Sequence, residues 1–190
     1  MNSKFHEGFY SFAKYYDIAF DFKDIPKECQ FLEQVFIKHL HRPLSSFIEF
    51  GAGPALHCLE MAKTLKPVTA VDLSQDMTDY AKTKAAGSGL SLDCQCADMI
   101  KYKSDKSYDM ATLLMDSTSY LLTNADVIEH LRSVAQVLNP EGLYILEMNH
   151  PKAIFEVAQA TVNDWETEKN GIKVRLQWEP PMTSSIPSLK

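Results

Sequence analysis

The sequence has no uninterrupted apolar run long enough to cross a bilayer, and its opening residues, Met1-Asn2-Ser3-Lys4-Phe5-His6-Glu7, lack the apolar core of a secretory signal. A membrane span and a secreted destination are both disfavoured, so a cytoplasmic location is expected. An excess of basic residues is also missing. The 19 Lys and Arg are outnumbered by 25 Asp and Glu, giving a formal net charge of −6, which removes the broad attraction to phosphate that nucleic-acid binding exploits. Cysteine is scarce. Cys29, Cys58, Cys94 and Cys96 contain no zinc-type arrangement, because Cys94-Gln95-Cys96 is too tight and has no second pair. No metal is expected. The four are expected as reduced, buried thiols, with Cys94 and Cys96 on one face of a strand.

What is present is the composition of an ordinary globular protein. The 190 residues are 45% hydrophobic and 23% charged, enough for one domain with a substantial core. The stretch that organises the chain is Ser46-Phe47-Ile48-Glu49-Phe50-Gly51-Ala52-Gly53-Pro54-Ala55, followed by a helical pattern over Leu56 to Leu65 and by Val68-Thr69-Ala70-Val71-Asp72. An apolar run ending in two close glycines, a helix, and a second apolar run ending in a carboxylate is the sequence form of a strand-helix-strand nucleotide unit. Gly51 and Gly53 permit a sharp turn and close approach of bare backbone to a ligand. Pro54 is expected in the first helical turn. Asp72 is expected where a carboxylate can accept the hydrogen bonds of a ribose diol. Two glycines can also make a plain strand-to-helix turn, and an Asp can simply cap a helix; the spacing to Asp72 favours a ligand site.

Upstream, residues 4 to 22 carry Phe5, Phe9, Phe12 and Tyr16 at helical spacing. The stripe reads as packing, with Tyr15 and Tyr16 as candidates for a lid over the nucleotide unit. Pro26 opens a helix over 27–41 with Phe31, Leu32, Val35, Phe36 and Leu40 inward, and His39 and His41 solvated near its end. Downstream, Ser74 caps a helix over 75–86, a strand over 90–96 delivers Ala97-Asp98-Met99, and a nearly all-apolar strand from Tyr108 delivers Asp116-Ser117-Thr118-Ser119-Tyr120. Asn124 is expected to cap a helix whose inner face is Val127, Ile128, Leu131, Val134, Ala135 and Leu138. Asn139-Pro140-Glu141-Gly142 reads as a turn before a strand over 143–148. A short helix is expected over 152–160, a hairpin about Asn170-Gly171 with strands 162–168 and 172–178, and an unstructured tail over 179–190. The expected organisation is one domain over 1–178: a lid and packing helix at 4–42, a cofactor-binding core at 46–150, and a helix and hairpin at 151–178.

Alternating strands and helices imply right-handed crossovers and a doubly wound α/β sheet in three layers, mostly parallel. Ligands of such sheets bind beyond the carboxyl ends of the strands, where Gly51, Asp72, Asp98 and Asp116 all fall.

With these motifs in order, the chain resembles the class I S-adenosylmethionine-dependent methyltransferases, whose fold is Rossmann-like. Glu49-Phe50-Gly51-Ala52-Gly53-Pro54 resembles their glycine motif, Val71-Asp72-Leu73-Ser74-Gln75-Asp76-Met77 their acidic-strand motif, and Ala97-Asp98-Met99 their third. Tyr108-Asp109-Met110 and Leu138-Asn139-Pro140-Glu141-Gly142-Leu143 resemble the starts of their fourth and fifth strands. The resemblance spans about residues 10 to 150 and is strongest to small-molecule methyltransferases with a Tyr-Asp pair before the core, here Tyr16-Asp17. It implies S-adenosylmethionine as cofactor, with Glu49 in the glycine motif and the backbone of Gly51, Ala52 and Gly53 against its methionyl part. It further implies Asp72 on the ribose, Leu73, Met77, Asp98 and Met99 about the adenine, Met115 and Asp116 flanking the methionyl end, and Tyr16 closing over it. Ala55 departs from the third glycine of many members. The family's last two strands, one antiparallel, find no convincing match before Lys190.

In-line methyl transfer from a sulfonium to a small-molecule nitrogen or oxygen needs alignment and exclusion of water, and a base only if the acceptor must lose a proton. Asp116, Tyr120, Glu147 and His150 stand near the rim, and none is assigned as that base. Two alternatives stay open: a cofactor-binding module without catalysis, and a nicotinamide-dependent oxidoreductase, opposed by Leu56 at the third-glycine position of its fingerprint. A last strand left as an apolar edge implies either a shortened form of a longer protein or a homodimer covering that edge, with the hairpin lying above the rim as part of an acceptor roof.

Overall fold

The computed structural model describes residues 12–150 and 163–178. Five strands form one parallel sheet in the order β3-β2-β1-β4-β5: β1 Phe47–Phe50, β2 Val68–Asp72, β3 Asp93–Cys96, β4 Tyr108–Leu113 and β5 Leu138–Leu146. Helices α1 (Ala13–Ala19), α2 (Ile25–Leu40), α3 (Leu56–Met61), α4 (Gln75–Gly87) and α5 (Asn124–Val137) complete the core, and β6 (Asn163–Lys169) pairs with β7 (Ile172–Trp178) as a separate antiparallel hairpin.

The strands alternate between two apolar layers because successive side chains point to opposite faces. Phe47, Val68, Ala70 and Met110 pack with Cys29, Leu32 and Phe36 of α2, Cys58 and Met61 of α3, and Ala81 of α4. Ile48, Phe50, Val71, Tyr108, Ala111 and Leu113 pack on the other face with Val134 and Val137 of α5. Both faces of β1 and β4 are therefore covered, which is why these strands are largely apolar and lack a polar face, with Glu49, Asp109 and Thr112 buried among the apolar residues. Strand order reverses between β1 and β4, so the loops after these two strands meet at the switch point.

The helix ends differ from the sequence reading in instructive ways. Helix α2 is capped by Asp24, whose carboxylate accepts the Lys27 amide, with Pro26 inside the first turn; Phe31 faces outward, 62% exposed. Pro54 precedes α3 instead of entering it, and Ala55 takes the cap position at φ 58°, a left-handed conformation costly for a residue with a Cβ. That conformation is the physical reason a glycine would suit position 55. Ser74 caps α4 as expected, accepting the Met77 amide. Helix α5 is capped one residue earlier than expected, by Thr123 in a reciprocal pair with Asp126. Its inward residues are His130, Ser133, Val134 and Val137, while Val127, Ile128, Leu131 and Ala135, expected on the inner face, are exposed. Asn139-Pro140-Glu141-Gly142 is a bulge within β5, with Glu141 at φ 61°, and not a separating turn. Strand β3 begins at Asp93, later than expected, and Cys96 is exposed, so only Cys29, Cys58 and Cys94 are buried free thiols.

Phe12 and Tyr15 of the aromatic stripe are 57% and 48% exposed, and α1 buries Ala13, Asp17, Ile18 and Ala19 instead. The hairpin turns through Asn170 (φ 52°) and Gly171 (φ 75°), as its sequence specifies. It packs on the end of α1: Trp165 Nε1 donates to the Ala19 carbonyl at 2.8 Å, and Lys169 pairs with Asp21. It does not pair with β5 in the described residues. The expected helix at 152–160, the tail at 179–190, and Phe5 and Phe9 lie outside the described residues. Among the described residues no helix is long and apolar enough to cross a membrane.

Candidate functional site

The turn after β1 sets Gly51 at φ 59° and Gly53 at φ 53°, conformations that only glycine adopts cheaply. A Cβ on Gly51 would stand 3.0 Å from Ser117 Oγ and 3.5 Å from Leu113, so this backbone is pressed against the loop after β4. Gly53 is open: a Cβ there would meet nothing nearer than Tyr16 Cε1, at 4.0 Å. The turn is thus closed on one glycine and roomy on the other, with a tyrosine ring as its cover.

Asp72 ends β2 and ties this turn down. Its Oδ2 accepts the Gly53 amide at 2.7 Å and its Oδ1 accepts the Ser74 amide at 2.8 Å. Burial raises its pKa above the ordinary carboxylate value, partly opposed by these amides, and nearby Glu49 adds to the rise. Ala52 donates to the Val71 carbonyl at 3.0 Å, which locks the turn to the tip of β2. The ring of Tyr16 stacks obliquely on Phe20, centroids 4.5 Å apart. Burial, with Tyr120, Asp72 and Glu49 nearby, pushes its pKa up to about 12, so the phenol stays protonated at neutral pH.

Beneath the turn, Glu49 is 3% exposed, and its Oε1 lies 3.0 Å from His57 Nδ1. His57 Nε2 is 2.8 Å from Glu28 of α2. Burial alone would depress the imidazole, but Glu49 and Glu28 outweigh it and carry its pKa to about 9. An imidazolium between two carboxylates therefore fixes β1, α2 and α3 together directly behind Gly51. Residue type alone did not mark His57; its position eight residues after Glu49, at the start of the helix that follows the glycines, was the available signal.

The remaining candidates sit around the same rim. Leu73 is 76% exposed and Met77 is fully buried. Asp98 is exposed, holding the Ile100 amide at 2.8 Å, and the Met99 carbonyl accepts from His130 Nδ1 at 2.9 Å. Burial lowers the His130 pKa, so His130 is neutral and its Nε2 can accept from the Tyr144 hydroxyl, which fixes the loop carrying Asp98 and Met99. Met115 (φ 53°) and Asp116 (φ 57°) are consecutive left-handed residues, a strain that the surrounding loop must offset. Asp116 is held by the Asn149 amide at 3.1 Å and side chain at 2.6 Å. Tyr120 ends a 3₁₀ turn over Ser117–Tyr120 and is 41% exposed; His150 is exposed. Of the two lid candidates, Tyr16 covers the glycine turn and Tyr15 faces solvent. Among the described residues no group of three or more His, Cys, Asp or Glu is placed to hold a metal ion.

The open turn, the half-buried carboxylate at the next strand tip and the switch-point position are the geometry of a nucleotide-type site on a doubly wound sheet. The methyltransferase domain family matches residues 47–142, half of the chain, and the chain belongs to that family. A relative in Geobacillus sp. (strain WCH70), GWCH70_2453, is 26% identical over 162 residues, 82% of this chain and 64% of the relative, so the chain spans under two thirds of that protein's length. The fold is shared with an S-adenosylmethionine-dependent methyltransferase from Clostridium acetobutylicum ATCC 824, at TM-score 0.72 and 19% identity over 88% of this chain and 78% of that one. It is also shared with S-adenosylmethionine-bound CalS10, an amino pentose methyltransferase from Micromonospora echinaspora, at TM-score 0.70 and 18% identity over 84% and 66% of the two chains.

Proposed function

We propose that the chain binds S-adenosylmethionine at the rim of the sheet and transfers its methyl group to a small-molecule nitrogen or oxygen. The observation that carries this reading is Asp72: its two carboxylate oxygens accept the Gly53 and Ser74 amides, the Leu73 amide is a further neighbour, and of about four acceptor positions those not used in the first two bonds can receive a pair of donors. A vicinal ribose diol supplies such a pair. The open backbone at Gly53 fits a ligand chain laid across the turn, and Tyr16 covers it.

In this reading Gly51, Ala52 and Gly53 line the methionyl part, with Glu49 contributing negative charge beneath them. Leu73, Asp98 and Met99 surround the adenine, while Met77, expected there from the sequence, is fully buried and supports the wall from behind; Met115 and Asp116 flank the methionyl end. The bound cofactor supplies an electrophilic methyl on a sulfonium sulfur. The residues of this chain orient the two partners and exclude water, Tyr16 from one side and the Met115–Ser117 loop from the other. The small-molecule class of acceptor is supported by the amino pentose methyltransferase that shares the fold.

Calorimetric titration with S-adenosylmethionine, its demethylated product S-adenosylhomocysteine, and NAD tests this reading. Saturable binding of the first two and none of NAD is expected. Binding of NAD alone would overturn it, and cofactor binding without transfer to any of a broad acceptor panel would favour a binding module without catalysis.

A further inference from the structure

Next to the glycine turn, at the C-terminal ends of β4 and β5, lies a cavity of about 280 Å³. Its lining joins two kinds of group: the rings of Phe20 and Phe22, from the end of α1 and the residues after it, and the carboxylates of Asp116 and Glu147, together with Lys23 and Asn149. The cavity does not include the open backbone at Gly53, but it shares Met115 and Asp116 with the methionyl end of the cofactor reading and so adjoins the turn, where the next residue, Ser117, abuts Gly51.

The groups in it are held in place. Trp165 of the hairpin meets both rings edge to face, with centroids 5.6 Å from Phe20 and 6.2 Å from Phe22, and is itself anchored to the Ala19 carbonyl. Asp116 accepts from the Asn149 amide and side chain and from Thr118, whereas the described donor to Glu147 is the Met115 amide, at 3.0 Å. An ionised carboxylate offers about four acceptor positions, so both keep capacity for a ligand, Glu147 the more. Lys23 also lines the cavity, with its ammonium 3.1 Å from Glu28, and two carboxylates against this one ammonium leave the lining net negative.

Carboxylates facing aromatic rings in a small cavity attract an organic cation and repel an anion. They oppose formation of a free alkoxide, and a neutral alcohol brings them a hydrogen bond but no positive charge, so an amine gains more from them than an alcohol does. We propose that this cavity is the acceptor site and that the acceptor is a small amine, held as its ammonium ion by Glu147, Asp116 and the Phe20 and Phe22 rings; the inference rests on the methyl-transfer reading above. Before transfer the ammonium gives one proton to the Glu147 carboxylate. The freed nitrogen lone pair then forms the N–C bond while the C–S bond breaks and its electron pair goes to sulfur. The product leaves as the N-methylated ammonium, and the Glu147 proton returns to water. The volume, just below the range usual for ligand pockets, suits a single-ring molecule.

The test titrates protein saturated with S-adenosylhomocysteine with cyclohexylamine, cyclohexanol and cyclohexanecarboxylate, and follows methylation of the same three by mass spectrometry with S-adenosylmethionine. The amine alone should bind and be methylated. Glu147→Gln, which keeps shape and removes charge, should raise the amine KM about tenfold or more, as expected for loss of a charged partner. Phe22→Leu, at a position 67% exposed and so tolerant in folding, should raise it about threefold or more by loss of the cation–ring contact, with S-adenosylhomocysteine affinity unchanged in both. Preference for the alcohol or the carboxylate, or an amine KM unmoved in both variants, would overturn the proposal while leaving the cofactor reading intact. Failure of S-adenosylhomocysteine itself to bind would instead remove the reading on which it rests, and the proposal with it.

Discussion

The carboxylate of Asp72 accepts the Gly53 amide at 2.7 Å, so the tip of β2 and the turn after β1 are already one unit before a ligand contributes anything. In the proposed site the same carboxylate holds the ribose. Asp72→Ala removes both functions and should weaken S-adenosylhomocysteine binding by about 1.5–3 kcal/mol, the range for hydrogen bonds to a charged group. Calorimetry that finds the affinity unchanged would withdraw Asp72 from the site.

The fold and this unit were legible because their signals are backbone demands and continuous burial. Phe47 to Phe50 and Tyr108 to Leu113 are buried on both faces, and runs this short between turn signals suit a central strand and are too short for a typical buried helix. The inner face of α5 was not legible. His130 and Ser133 are buried because they bond the carbonyls of Met99 and Ile100, while the apolar Val127, Ile128 and Leu131 face outward, so polarity pointed the wrong way. Thr123 and Asn124 are both good caps, and only the reciprocal bond from Asp126 selects the threonine. The carboxylates and rings of the proposed acceptor cavity come from three separate stretches of sequence. No local pattern links Phe22 to Glu147; the packing of α1 on the hairpin and the strand order do.

His57 links stability to pH at the alkaline end. Its folded pKa, about 9, lies above the ordinary imidazole value near 6.5, so the protein prefers the protonated form. The contribution is complete below about pH 6.5 and is lost as pH rises through about 9. Urea unfolding should show stability falling across that window by an amount on the order of 2–3 kcal/mol. His57→Gln, which cannot carry the charge, should be less stable at pH 6 and flat across the window. A wild-type profile that rises from pH 6.5 to 9 would contradict the placement of a charged imidazole between Glu49 and Glu28.

Asp109 gives the opposite dependence at the acid end. It is nearly buried, and its carboxylate accepts from Arg42 at 2.9 Å, from the Ser45 amide at 3.1 Å and hydroxyl, and from Asn139 at 3.0 Å. Burial would raise its pKa, but these partners overcome that and hold it well below the usual carboxylate range. The stabilisation is therefore present above about pH 4 and is lost as pH falls below it. Asp109→Ala removes the acceptor of Arg42, Ser45 and Asn139 and should cost about 1.5–3 kcal/mol at pH 7, since Arg42 is solvent-accessible and is not left as a buried charge, with a smaller penalty at pH 3. Equal penalties at the two pH values would count against the ionised form.

Helix α1 carries Tyr16 over Gly53, and what holds the helix there is Asp17. This side chain is 5% exposed and accepts from Lys84 Nζ at 2.8 Å and from the Tyr80 hydroxyl at 2.7 Å, both on α4. A seven-residue helix has little stability of its own, so its position depends on these bonds, on the hairpin, and in the proposed site on the ligand beneath Tyr16. Amide hydrogen exchange over residues 12–20 should therefore slow when S-adenosylhomocysteine is added. Asp17→Asn keeps the shape and weakens the charged bonds; it should speed exchange in the free protein and lower cofactor affinity several-fold, about 1 kcal/mol, because closure of Tyr16 must then be paid from binding. Exchange that is equal with and without ligand would leave α1 a packing element and remove Tyr16 from the cover of the site.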